Sequence, residues 1–205
     1  MNKELRIKLV IFSIIGGKLQ IFLPDNLLPV GKLGKSTSLD QTAKKNLEHV
    51  MDFQSKENYL EQLYTFSGKE NSISVVYYAL IPDFEIPESA RSKWSDCSRL
   101  SKQLPDRQII SYAFQRLRWK IEYTNVVYSL LPEEFIFSQL QDVYEAILGK
   151  TLDKRNFRKK ILSLKILKDT GKKKSLGKAR PAFRLGRPAE IYSFRKRKLA
   201  YVEVL

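Results

Sequence analysis

Hydrophobic residues in the first half of the chain follow the patterns of β-strands. Arg6–Ile15 and Lys18–Leu23 are largely apolar segments on either side of a Gly-Gly pair, which is typical of a tight β-hairpin. Tyr59–Phe66 and Ser72–Ile81 predict two more strands, and the second is so continuously apolar that we expect both of its faces to be buried. The pattern therefore predicts a sheet in this half.

Apolar residues at helical spacing predict two helices that accompany this sheet. Ser38 and Gln41 form a capping-box pattern, and the helix that follows is expected to run to about Phe53. A longer linking helix is expected over about residues 107–130, where Ile110, Ala113, Leu117 and Ile121 form one apolar stripe. The first half thus predicts an α/β arrangement of a mixed sheet with helices.

The second half begins with a pair of helices joined by a short turn. Ser138 and Gln141 predict the start of the first helix, and Gly149 is placed to end it. The segment LDKRNFRKKILSL, residues Leu152–Leu164, then predicts an amphipathic helix. Phe157 and Ile161 lie on its apolar side, while the opposite side is basic. Two helices in this arrangement are typical of a helix-turn-helix.

A Lys- and Arg-rich hairpin is expected after these helices, so the second half predicts a winged helix-turn-helix. In such a module the second helix enters the major groove and the wing follows phosphates. Arg155 and Arg158 are candidates for bidentate guanine contacts, and Asn156 for adenine or phosphate. The wing residues expected to add affinity without sequence preference are Lys172, Lys173, Lys174, Lys178 and Arg180.

Charge is distributed unevenly between the two halves. Of the 205 residues, 1–105 carry 14 basic and 12 acidic side chains, whereas 106–205 carry 23 and 10. The net charge of +15 therefore belongs almost entirely to the second half and favours a polyanionic partner, although a solubilising surface is the alternative. The single Cys97 favours a reducing cytoplasm, and no apolar stretch predicts a membrane span.

The segment between the second strand and the third resembles the Nudix motif G-x5-E-x7-R-E-U-x-E-E-x-G-U, in which U is aliphatic. With Gly31 as the first glycine, Leu47 falls on an aliphatic position. The four Glu positions of the motif are occupied by Thr37, Asn46, His49 and Val50, and the other positions by Lys45, Asp52 and Phe53. In Nudix enzymes the carboxylates hold Mg²⁺ on one helix face, and Glu48 lies on another side of this helix. The resemblance therefore implies a Nudix-like domain without hydrolase activity and without a cofactor.

A longer resemblance covers the second half. KIEYTNVVYSLLPEEFIFSQLQDVYEAILGKTLDKRNFRKKIL and the later GRPAEIYSF are similar to the Nudix-related transcriptional regulators. That family implies dimers, a retired Nudix domain that binds ADP-ribose or a sugar, and a winged helix that binds an operator. The resemblance implies that Lys154, Arg155, Asn156, Arg158 and Lys159 meet DNA, with Arg187 beside the wing.

These observations lead to one principal hypothesis. We expect a fold of the α+β or α/β class (α+β / α/β). Residues 1–105 should form a Nudix-like α/β/α sandwich for effector binding and dimerisation. Residues 106–205 should form a winged helix-turn-helix. We expect a cytoplasmic, homodimeric, effector-responsive regulator, more readily a repressor, that binds a palindromic operator in double-stranded DNA. The expected effector-facing surface consists of Lys45, Asn46 and His49.

Two rival hypotheses belong to other classes of protein. One is a Nudix-type hydrolase of nucleoside diphosphate derivatives, which would show Mg²⁺-dependent turnover. The other is a basic module that binds any nucleic acid, and competition by unrelated duplex would distinguish it from a regulator.

Overall fold

The computed structural model describes residues 4–33, 37–52, 58–67, 72–174 and 188–204. The chain divides into two compact units, residues 1–117 and 118–205, so the division falls inside a helix. The domain boundary at 105/106 expected from the sequence stays a prediction. Among the described residues no helix is both long and apolar enough to cross a membrane.

The strands and helices predicted for the first unit are present, and the structure adds two short strands, Val30–Lys32 and Trp94–Asp96, that the hydrophobic pattern did not predict. In chain order the elements are β1 (Glu4–Ile15), β2 (Lys18–Phe22), β3 (Val30–Lys32), α1 (Leu39–Met51), β4 (Tyr59–Ser67), β5 (Ser72–Leu80), β6 (Trp94–Asp96) and α2 (Arg107–Tyr123), whose last residues enter the second unit. The second unit continues with β7 (Phe135–Ile136), α3 (Phe137–Leu148), α4 (Lys154–Ser163), β8 (Leu167–Lys174) and β9 (Ala189–Phe194).

The sheet of the first unit has the order β4-β5-β1-β2-β6, with β3 paired to the first part of β1. Strands β1 and β5 are parallel, and the other pairs are antiparallel, so the sheet is mixed as predicted. The β1–β2 hairpin turns at Gly16 and Gly17, whose φ angles of 59° and 74° favour glycine. Val75–Leu80 in β5 are all buried, because helices or other segments of the same chain cover both faces of the strand.

Helix α1 lies against one face of this sheet. Both hydrogen bonds of the capping box between Ser38 and Gln41 are present, and Asp52 ends the helix in the left-handed conformation. Ala43, Leu47 and Met51 pack with the residues of β1 and β5 that face them: Ile7, Leu9, Ile11, Val75, Tyr77 and Ala79. The first residues of α2 contact the opposite face, where Arg116 lies 3.5 Å from Glu61 of β4.

The linking helix is shorter than the sequence predicted. Its apolar stripe is buried, with exposed fractions of 2% or less for Ile110, Ala113, Leu117 and Ile121. However, α2 ends at Tyr123 and not near residue 130. The Thr124 hydroxyl donates to the Lys120 carbonyl, and the Asn125 amide nitrogen donates to the Ala200 carbonyl in place of a helical partner. A separate 3₁₀ helix, Val126–Leu130, follows.

The second unit consists of α3 and α4 with a three-stranded sheet of order β7-β9-β8. Helix α3 begins at Phe137, so the predicted N-terminal cap at Ser138 is wrong. Ile136 pairs with β9, and its backbone amide donates to the Gln139 side chain, which fixes the start of the helix earlier. The expected wing is the antiparallel pair of β8 and β9.

Candidate nucleic-acid interface

Helix α4 is positioned by a cap and by two buried apolar residues. The Asp153 carboxylate accepts a hydrogen bond from the Asn156 backbone amide at 2.8 Å, which caps the helix. Phe157 and Ile161 are buried, and the Phe157 ring contacts the rings of Phe137 and Tyr144 with centroids 5.8 and 5.1 Å apart. Burial of this side leaves the opposite side of α4 exposed, as its amphipathic pattern predicted.

The turn between α3 and α4 is held by a small polar network. Gly149 ends α3 with a φ of 70°, which a side chain would disfavour. The Glu145 carboxylate accepts hydrogen bonds from the Leu152 backbone amide and the Gln141 side chain, both at 2.8 Å. These hydrogen bonds lower the pKa of Glu145, and the one from the Leu152 amide has the larger effect. The carboxylate is therefore ionised at neutral pH. The network fixes the angle at which α4 leaves α3.

Four of the predicted DNA-binding residues share the exposed side of α4. Lys154, Arg155, Asn156 and Lys159 are all exposed. Within the described ranges, none of the three cations among them has an acidic partner. Their charges are therefore available to a ligand, as a contact with a nucleic acid requires.

Arg158 differs from these residues because its guanidinium is engaged within the unit. Its Nη2 lies 2.7 Å from both a Glu190 carboxylate oxygen and the Tyr192 hydroxyl. The guanidinium carbon also lies 4.8 Å from the centroid of the Phe137 ring and 5.5 Å from that of Tyr192. The Arg158 side chain thus connects α4 to β9 of the wing.

The base of the wing carries further cations. Strand β8 contains an irregularity in register between Asp169 and Lys173, where Gly171 adopts a φ of 74°. Lys173 and Lys174 are exposed, and the Lys172 ammonium lies 2.6 Å from the Glu134 carboxylate. The other predicted wing residues, Lys178, Arg180 and Arg187, lie outside the described residues.

Sequence reasoning missed the acids of this surface and misinterpreted one basic cluster. Nothing in the sequence indicated that Glu190 and Glu134 pair with predicted DNA contacts. Arg197 belongs to the basic run Arg195–Lys198, whose sequence alone is typical of a phosphate-contacting or solvated tail. Its guanidinium instead donates to the carbonyls of Tyr128, Leu131 and Pro132 at 2.6, 2.8 and 3.0 Å.

The predicted effector-facing residues lie on α1 but do not share one environment. Lys45 and His49 are exposed, whereas Asn46 is half-buried with its side-chain nitrogen enclosed. A Cβ at Gly31 would overlap the Asn46 amide, so the glycine lets β3 approach the helix. In the described part of the chain, no three side chains of His, Cys, Asp or Glu gather as a metal site would require.

Comparisons with known proteins agree with this geometry. Residues 127–194, which include α3, α4 and the wing, match the NrtR DNA-binding winged helix domain. The crystal structure of Shewanella oneidensis NrtR complexed with a 27mer DNA has a TM-score of 0.75, is 27% identical and covers 93% of both chains. The chain is similar to the NrtR regulators.

Two further proteins extend this relationship with NrtR. The ADPR responsive transcriptional repressor NtrR of Acinetobacter baylyi is 29% identical over 211 residues, which cover 92% of this chain and 80% of that protein. A MutT/nudix family protein from Enterococcus faecalis, at 18% identity, has the same fold with a TM-score of 0.70 and covers 96% of this chain and 89% of its own. The resemblance to NrtR-like regulators and the fold class predicted from the sequence are therefore confirmed.

Proposed function

We propose that this protein is a DNA-binding transcriptional regulator whose winged helix reads an operator and whose Nudix-like unit senses a small molecule. The single observation that carries the proposal is the set of exposed cations on α4, which have no acidic partner among the described residues, in a domain of the NrtR type with a basic wing. Arg155 and Asn156 are the proposed base readers, while Lys154 and Lys159 contact phosphates. The wing residues Lys173 and Lys174 add affinity that does not depend on sequence.

Repression that responds to ADP-ribose is the proposed mode of action. The Acinetobacter baylyi relative is named as an ADPR responsive repressor, and its similarity spans both units of this chain. Lys45 and His49 on the exposed part of α1 are the proposed effector contacts, because a cation and a hydrogen-bonding ring suit a diphosphate. A sugar is the alternative effector.

Hydrolysis by a Nudix mechanism is not part of the proposal. Asn46, His49 and Val50 stand on α1 where the Nudix motif has the acids that hold Mg²⁺, and an amide, an imidazole and an aliphatic chain do not suit a hard cation. The residues present therefore do not fit the metal, and no catalytic step is assigned to it.

Two copies of the chain on a palindromic operator form the proposed complex. Tyr64 and Phe66 of the edge strand β4 and Tyr112 of α2 form an aromatic cluster with ring centroids 5.3 to 6.0 Å apart. Tyr64 and Tyr112 are 56% and 39% exposed. Exposed aromatic rings on a free sheet edge favour association, and we propose this surface for the homodimer.

A gel shift tests the proposed function. The probe is the DNA upstream of the protein's own gene, at near-physiological salt and with excess unrelated duplex, with and without ADP-ribose or a panel of pentoses. We expect a shift that survives the competitor and that one compound alters. A shift that unrelated duplex removes would leave only a basic module with general affinity for nucleic acid.

A further inference from the structure

The Arg158 guanidinium is part of a closed triangle of polar groups. It donates to a Glu190 carboxylate oxygen and to the Tyr192 hydroxyl, both at 2.7 Å, and that hydroxyl donates to the same carboxylate oxygen at 2.5 Å. Hydrogen bonds from Tyr192 and then Arg158 lower the pKa of Glu190, so the carboxylate is charged at neutral pH. The triangle is thus an ion pair between Arg158 and Glu190, and the Tyr192 hydroxyl forms a hydrogen bond with each of the two charged groups.

Aromatic rings hold the guanidinium in place. Phe137 and Tyr192 are buried, and both rings face Arg158. Arg158 must leave these rings as well as Glu190 before it can reach a DNA phosphate or base. The pair therefore differs from a surface salt bridge in which two flexible side chains meet in water.

A carboxylate at this position presents to Arg158 the same chemistry as a phosphate of DNA. Both groups are anionic oxygen acceptors for a guanidinium. We propose that Glu190 is a specificity-determining residue that occupies Arg158 in place of a DNA phosphate and so withholds one cation from unrelated DNA. The inference rests on the proposed DNA-binding function.

The physical consequence concerns counterion release. A free surface cation neutralises a phosphate and releases a salt ion, and this gain is available on any sequence. Arg158 already has an internal counterion, so unrelated duplex gains one contact fewer and meets the Glu190 charge beside it. An operator is aligned on α4 by base contacts, so that a phosphate can replace Glu190 at Arg158, whereas unrelated duplex leaves the pair closed. The pair thus raises the ratio of specific to general affinity.

The test compares the salt dependence of binding in matched variants. Fluorescence anisotropy with an unrelated duplex, and with the operator, is recorded over a range of salt concentrations for the wild type, Glu190→Gln, and Arg158→Ala combined with Glu190→Gln. Glu122→Gln is the control, because it removes one exposed acid of the same unit and changes the net charge equally. Thermal unfolding of each variant confirms that it is folded.

For Glu190→Gln we expect the slope of log affinity against log salt on unrelated duplex to steepen by about 0.9, and affinity at 0.1 M salt to rise about five- to tenfold. Affinity for the operator should rise less, so the specificity ratio falls. The combined variant should return to the wild-type slope, and Glu122→Gln should leave the slope unchanged. An unchanged slope in Glu190→Gln, or an equal loss of affinity for both duplexes, would mean that Glu190 only stabilises the structure of the wing. Either result would overturn the inference.

The same data separate this inference from the proposed function. A wild type that prefers its operator, together with an unchanged Glu190→Gln slope, contradicts the inference and leaves the regulator intact. A wild type without sequence preference whose slope steepens in Glu190→Gln contradicts the regulator and leaves the ion pair as a restraint on general binding. Failure of the wild type to bind any duplex would overturn both.

Discussion

At the scale of single residues, equal charge does not mean equal availability. Arg155 and Arg158 are three positions apart on α4, yet the first is exposed and the second is bound by Glu190 and Tyr192. The side chain of Arg158 is still 38% exposed, so burial does not withdraw it from solvent. Its partners, and not its charge, distinguish it from Arg155, which is the proposed base reader.

The division between base readers and phosphate contacts leads to a prediction about specificity. Arg155→Ala should relax base choice at one operator position, with a loss of about 1–3 kcal/mol of discrimination. Lys173→Ala should instead weaken binding to all duplexes alike and reduce the salt slope by about 1. Binding to a set of single-base operator variants measures both effects. Equal and sequence-independent losses from the two changes would contradict the assignment.

A second residue-scale prediction concerns Arg197. Its guanidinium donates to three backbone carbonyls that end the 3₁₀ helix, so Arg197→Ala should lower the free energy of unfolding by about 1.5–3 kcal/mol. Urea denaturation measures the loss. Lys196→Ala removes a neighbouring exposed cation and should change stability little. Equal stability of the two variants would mean that Arg197 is a solvated part of the tail.

At the scale of elements, the winged helix depends on how its two helices are joined. Gly149 allows the chain to reverse, and Glu145 then ties the backbone of Leu152 to the end of α3. The Arg118 side chain also donates to the Ile147 carbonyl at 3.1 Å. Hydrogen bonds at the turn therefore act together with the apolar contacts of Phe157 to join the two helices.

This turn should make stability depend on pH. The pKa of Glu145 is lowered in the folded state, so its contribution is present above the unfolded pKa of about 4.3 and is lost as pH falls through the lower folded value. Glu145→Gln should cost about 1 kcal/mol at pH 7, since the group is partly exposed, and the cost should shrink below pH 4. Chemical denaturation at both pH values measures the difference. A cost that stays constant with pH would show that the charge contributes nothing.

At the scale of the whole molecule, each of the two units presents a different surface. The second unit carries the cations of α4 and the wing, and the first presents aromatic residues along the free edge of β4. A palindromic operator requires two copies of the cationic surface. The aromatic surface suits the association of those two copies. The proposed regulator therefore needs both units.

A charge on the aromatic edge tests the dimer. Tyr64→Lys should shift the chain from dimer to monomer, because it places an ammonium among Phe66 and Tyr112. Thr65→Lys is the matched control, since Thr65 is exposed on the opposite face of the same strand. Light scattering after size-exclusion chromatography gives the mass of each. A dimer that survives Tyr64→Lys unchanged would exclude this cluster as the interface.

The accuracy of the sequence predictions depended on the range of the interactions involved. The β1–β2 hairpin, the capped start of α1 and the glycine end of α3 depend on residues a few positions apart, and their patterns were sufficient. The end of α2 and the start of α3 were predicted wrongly. Both are set by distant partners, since Asn125 bonds to Ala200 and Ile136 pairs with Ile191.

The candidate site divides in the same way. The amphipathic pattern of Leu152–Leu164 by itself determined which side of α4 is exposed and basic, because burial of Phe157 and Ile161 orients the rest of the helix. Only the tertiary structure decided which of those cations have an acidic partner in the described part of the chain. Arg158 meets Glu190 across 32 residues of chain, and Arg197 meets Tyr128 across 69. Side-chain partners at such separations follow from the packing of elements, which no local pattern of residues encodes.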